Sequence, residues 1–116
     1  MTRDDLVTYC LAKPDAWLDE PWEGGEVAKV ADKVFAFLGS GGGDDVRIGL
    51  KCGRTADDAA ELRARYPDDV TVSAYVGRYG WNSVRADGGI GDDEIRELVD
   101  ASYDAVVAAL PRRKRP

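Results

Sequence analysis

The sequence predicts an α+β two-layer sandwich of order α-β(3)-α-β(2)-α, with a five-stranded antiparallel sheet and helices on one of its faces. Three observations carry this. Apolar residues alternate with period two in two blocks, Val27–Leu50 and Val70–Ala86. Three segments place apolar residues at helical spacing behind acidic starts, near Asp4, Asp57 and Asp92. The strands come in runs and do not alternate with helices, as parallel βαβ units would require.

The first helix is expected over Arg3–Ala12. Thr2 and Asp5 form a capping box, Leu6 and Cys10 make an i, i+4 apolar stripe, and Lys13-Pro14 ends it. Asp15–Gly25, with Trp17, Trp22 and several carboxylates around Pro21, is expected as a loop. Val27–Val30 and Val34–Leu38 are strands joined by a tight hairpin at Asp32-Lys33. Gly39-Ser40-Gly41-Gly42-Gly43-Asp44-Asp45 is a turn, and Val46, Ile48 and Leu50 alternate along a third strand. Thr55 starts a second helix that runs to about Tyr66 and stops at Pro67. Val70, Val72, Ala74 and Val76 alternate along a fourth strand, and Trp81 to about Ala86 is the fifth. Asp92, Asp93 and Glu94 open the last helix, where acids complement the dipole. Ile95, Leu98, Val99, Val106 and Leu110 make its apolar side, and Pro111 closes it. One domain is expected over 1–111, with residues 112–116 a basic tail containing Arg112-Arg113-Lys114-Arg115.

Composition narrows the chemistry. The 116 residues hold no histidine, and the net charge is −6. Without histidine there is no Ser-His or Cys-His pair, no imidazole base and no imidazole zinc ligand. Cys10 and Cys52 are too few for a disulfide framework. No apolar run approaches the roughly 18–20 residues that span a bilayer, and no secretory signal is visible. A cytoplasmic protein without a membrane partner is expected. The glycine run leads into Asp44-Asp45 and a strand, so it lacks the Lys-Ser/Thr and the helix of a phosphate loop. The paired acids of the first helical turns are dipole partners, and no metal site is assigned. No catalytic residue and no cofactor is assigned either, so the expected class is non-enzymatic.

Charge patterning points to a surface. Val46–Ala56 and Val70–Ala86 contain no Asp or Glu; their charged residues are Arg47, Lys51, Arg54, Arg78 and Arg85. If Val46, Ile48 and Leu50 face the helices, alternation sends Arg47 and Lys51 to the other face. Thr71, Ser73 and Tyr75 join them, as do Ser83 and Arg85 when Val84 points inward. The open face is then expected to carry cations, hydroxyls and an aromatic ring, suited to a polyanion or an acidic protein segment. Strand propensity alone also depletes Asp and Glu.

An ordered set of segments carries a resemblance. They are Pro21-Trp22-Glu23-Gly24, Lys29 to Ala36, Leu50-Lys51-Cys52, Leu62 to Pro67, Arg78-Tyr79-Gly80-Trp81-Asn82-Ser83-Val84, and Ala101-Ser102-Tyr103-Asp104 leading to Leu110-Pro111. Together they resemble the MmcQ/YjbR family of small bacterial proteins with a CyaY-like fold. The resemblance implies the YjbR-like fold and a DNA-binding role through a "double wing" β arrangement. A protein-interaction or secretion-chaperone-like role is the alternative. Lys51, Trp81 and Asn82 match directly, and Arg78 stands where the family usually has Lys. Gly77 and Gly80 replace a frequent Asn and His, and Asp32 replaces a hairpin Gly. The candidate binding residues are therefore Arg47, Lys51, Tyr75, Arg78, Trp81, Asn82 and Arg85, with DNA or an unidentified protein as partner.

Overall fold

In the computed structural model, which describes residues 1–39, 45–53, 55–73 and 79–116, Thr2 caps the first helix as its sequence requires. Asp5 N–H donates to Thr2 Oγ1 at 3.1 Å, and Thr2 N–H donates to Asp5 Oδ2 at 3.0 Å. The helix α1 spans Arg3–Leu11. Four strands follow: β1 Ala16–Trp22, β2 Gly25–Val30, β3 Lys33–Gly39 and β4 Arg47–Lys51. Then come α2 Ala56–Arg65, β5 Val70–Val72, β6 Trp81–Arg85 and α3 Asp92–Ala109, with a short 3-10 turn at Arg112–Lys114. Thr55 Oγ1 caps α2 by accepting from Asp58 N–H at 3.3 Å.

The strands form one antiparallel sheet of order β1-β2-β3-β4-β6-β5. The expected count of five strands is corrected to six, because Ala16–Trp22 is a strand and not a loop. Its side chains are mostly exposed on both sides, so burial imposes no period-two signal on the sequence. Pro21 is tolerated because an edge strand has a side that bonds to nothing. The β2–β3 turn falls at Ala31-Asp32, one residue before the expected position, with Ala31 at φ +53°. The strand expected over Val70–Val76 is described only to Val72, and residues 74–78 lie outside the described residues.

The helices pack on one sheet face. Leu6 and Cys10 of α1, Leu62 of α2, and Ile95, Val99 and Val106 of α3 close over Ala28, Val30, Phe35, Ile48, Leu50 and Val84. Phe35 meets Tyr103 edge to face at 5.2 Å. Each such fully buried large side chain contributes about 1.5–3 kcal/mol. Burial pushes the Cys10 thiol up to about 12, which keeps it protonated as a small core residue. The opposite sheet face has no helix packed on it among the described residues.

Candidate functional site

The strand register defines the open face. Phe37 pairs with Gly49, Gly49 with Ser83, and Ser83 with Thr71, so one row crosses β3, β4, β6 and β5. Lys51 stands opposite Trp81 on one side of this row, and Arg47 opposite Arg85 on the other. Alternation puts all of these on the same face. Ala36, Leu50, Asn82 and Val72 form the neighbouring row, which points to the helices.

Gly49 organises the centre. A Cβ there would stand 3.0 Å from Phe37 Cβ and 3.2 Å from its ring, so the missing side chain makes room for Phe37. The Phe37 ring then reaches Trp81, with centroids 5.2 Å apart and planes at 72°. This is the T-shaped geometry that aromatic quadrupoles favour. Both rings are half-buried.

Arg47, Lys51 and Arg85 fall where alternation placed them, and the two arginines meet carboxylates there. Asp45 Oδ2 lies 3.6 Å from Arg47 Nε, and Asp45 Oδ1 lies 3.5 Å from Arg85 Nη2. Arg85 Nε donates to Asp87 Oδ1 at 2.9 Å. That bond holds the Asp87 carboxyl below its ordinary value and raises the Arg85 guanidinium. Asp45 and Asp87 sit one residue beyond the acid-free stretches, at the ends of β4 and β6. The loops thus return carboxylates to the strand ends. Arg47 Nη1 is buried without an acceptor among the described residues. Lys51 has no carboxylate partner there.

Four of the seven candidate residues come together on this face: Arg47, Lys51, Trp81 and Arg85. Tyr75 and Arg78 lie outside the described residues. Asn82 is fully buried on the helix side. Its Nδ2 donates to Ala59 O at 3.1 Å, and its Oδ1 accepts from Arg63 Nη1 at 2.7 Å. Asn82 therefore ties α2 to β6 and presents nothing to the open face. Phe37 was not singled out from the sequence. Its strand reads Val-Phe-Ala-Phe-Leu, apolar at both parities, so alternation does not reveal which Phe is outward.

A separate groove of about 340 Å³ lies on the helix side, between the end of β4, α2 and α3. Leu62, Leu98 and Cys52 line it, with Asp58, Glu61 and Arg65 among its other walls. Burial raises the Cys52 thiol, which keeps it from the thiolate form that nucleophilic chemistry uses. Among the described residues no group of three or more Cys, Asp or Glu could hold a metal ion. Among the described residues no helix is long and apolar enough to cross a membrane.

Two solved structures share the fold. A Deinococcus radiodurans protein with a DUF419 domain superposes with a TM-score of 0.86 at 24% identity, covering 97% of this chain and 84% of its own. A Pseudomonas syringae protein gives 0.73, also at 24%, covering 90% and 98%. In sequence, the uncharacterized protein YjbR of Escherichia coli K12 is 35% identical over 117 residues, which is 99% of this chain and 95% of that protein. The YjbR family model matches residues 11–105, from the end of α1 through most of α3. A match of that extent takes in every strand of the sheet and the open face with it: the chain belongs to the YjbR family.

Proposed function

We propose that this protein is a non-enzymatic binding module that takes an acidic, partly apolar polypeptide segment on its open sheet face. The observation that carries this reading is the Phe37–Trp81 pair at the centre of an unhelixed face, with Lys51 beside it. Half-buried aromatic rings are the usual anchors of protein interfaces. Lys51, without a carboxylate partner among the described residues, is the cation that would meet a partner carboxylate. Arg47 and Arg85 already share Asp45 and Asp87, so the face offers few uncompensated charges to a phosphate backbone.

DNA binding is the second reading. It is favoured by Arg47 and Arg85 standing directly opposite each other on neighbouring strands, an extended basic pair that a groove or backbone could meet.

Affinity capture from nuclease-treated lysate, run with the wild type, Trp81→Ala and Lys51→Glu, separates them. A protein partner held by the wild type and lost from both variants is expected. In parallel, duplex DNA titrated at low and raised salt is expected to show no binding. Binding with a steep salt slope that flattens in an Arg47/Lys51/Arg85 triple alanine variant would establish the nucleic-acid reading instead. A partner retained by both face variants would remove the open face from the function.

A further inference from the structure

The outer margin of β1 is a second surface, separate from the face just described. β1 ends the sheet, so among the described residues the side away from β2 has no strand beside it. Three large apolar side chains are exposed along this one strand: Trp17 at 43%, Leu18 at 39% and Trp22 at 55%. Edge strands are usually blunted by charge, proline or a bulge. Here Pro21 and the register shift between Asp19 and Trp22 blunt only the later half. From Ala16 to Asp19 the strand keeps regular register with β2.

The backbone of that first half is available. Antiparallel pairing turns the N–H and C=O of every second residue outward. Ala16 N–H donates to Lys13 O at 3.1 Å, and Glu20 N–H to Asp19 Oδ1 at 2.9 Å. Both are engaged locally and not with β2, so the alternation puts the N–H and C=O of Leu18 on the outward side. Trp17 is already held in place. Its Nε1 donates to Ala31 O at 2.9 Å, and Lys29 Nζ lies 5.2 Å from its ring centroid.

The segment that carries this edge is acidic. Residues 14–28 contain no Lys or Arg. Asp19 is taken by Lys29 at 2.7 Å and Glu26 is paired with Arg3. Asp15, Glu20 and Glu23 remain exposed along the strand and its turn. A second copy adding its own β1 would bring the same acid-rich segment alongside this one, and adding negative charge to negative disfavours that pairing. A cationic segment is matched instead.

We propose that the outer edge of β1 accepts, as an added strand, an extended segment of another protein in which Lys or Arg flank apolar residues. Main-chain bonds at Leu18 supply pairing, and Trp17, Leu18 and Trp22 supply apolar contact. Glu20 and Glu23 select for positive charge.

The test uses a short alternating Lys-Val peptide as probe, with a Glu-Val peptide as control, followed by amide and indole NMR signals of the full chain. The Lys-Val peptide is expected to shift residues 16–20 and the Trp17 and Trp22 indoles, and to slow exchange of the Leu18 amide. The Trp81 indole is expected to stay in place. The double variant Glu20→Lys/Glu23→Lys, altered only at exposed positions, is expected to bind the Lys-Val peptide about tenfold more weakly and to gain binding of the Glu-Val peptide. Absence of shifts, equal binding of both peptides, or a dimer formed through β1 in sedimentation would each overturn the proposal. Shifts centred on Trp81 would overturn it too, while leaving the open-face reading intact.

Discussion

Asn82 shows how much one side chain's direction decides. Its neighbours Trp81 and Ser83 look outward, and it looks inward, where it bonds Ala59 O and Arg63. Replacing it with Ala would leave a buried carbonyl and a guanidinium without their partner. The cost expected is about 1–3 kcal/mol, read from the urea unfolding midpoint. Trp81→Ala, by contrast, is expected to act chiefly on partner capture. Alternation in Trp-Asn-Ser-Val-Arg already separates Asn82 from Trp81 once Val84 is set inward. What the sequence did not show is the acceptor at Ala59, which lies more than twenty residues away and belongs to a different element.

Among the elements, the junction of β3 and β4 depends on a helix. Among the described residues their register holds two pairs, Ala36↔Leu50 and Phe37↔Gly49. Beyond Leu50 the fully buried Ser102 of α3 inserts its hydroxyl. Ser102 Oγ donates to Phe35 O at 2.6 Å and accepts from Lys51 N–H at 2.9 Å. The hydroxyl thus completes two backbone groups that the strands leave unpaired. Ser102→Ala is expected to cost about 1–3 kcal/mol. It should also speed amide exchange at Lys51 more than at Ile48, which an unselective loss of stability would not do. β1 is the contrasting case. Its pairing with β2 is regular from Ala16 to Asp19, yet nothing in its burial marks it as a strand.

Over the whole molecule, carboxylates stabilise the fold in a defined pH window. Hydrogen bonding from the Thr2 backbone lowers Asp5, a bond with Lys29 lowers Asp19, and a bond with Arg85 lowers Asp87. Each folded value lies below the ordinary 3.8, so the unfolded chain takes up protons first. Their stabilisation is present above 3.8 and is lost as pH falls through the lowered folded values. The unfolding midpoint, measured from neutral pH stepwise to below 3.8, is expected to hold and then fall. Raised salt is expected to reduce the drop, since these pairs are exposed and screened. A midpoint that climbs on acidification would contradict this.

The fold class, the three helices with side-chain caps on the first two, the face assignment of Arg47, Lys51 and Arg85, and the family resemblance were all legible in the sequence. Periodicity reports which side of an element is buried, and capping residues act on their own helix, so both are local signals. The tertiary structure alone decided the sixth strand, the ion pairs on the open face and the inward bonds of Asn82. An edge strand exposed on both sides leaves no periodic trace. The charge of a face depends on which loop ends the fold brings to it: the stretches free of acid stop at Val46 and Ala86, and the residues just past them, Asp45 and Asp87, are the ones that fold back onto Arg47 and Arg85.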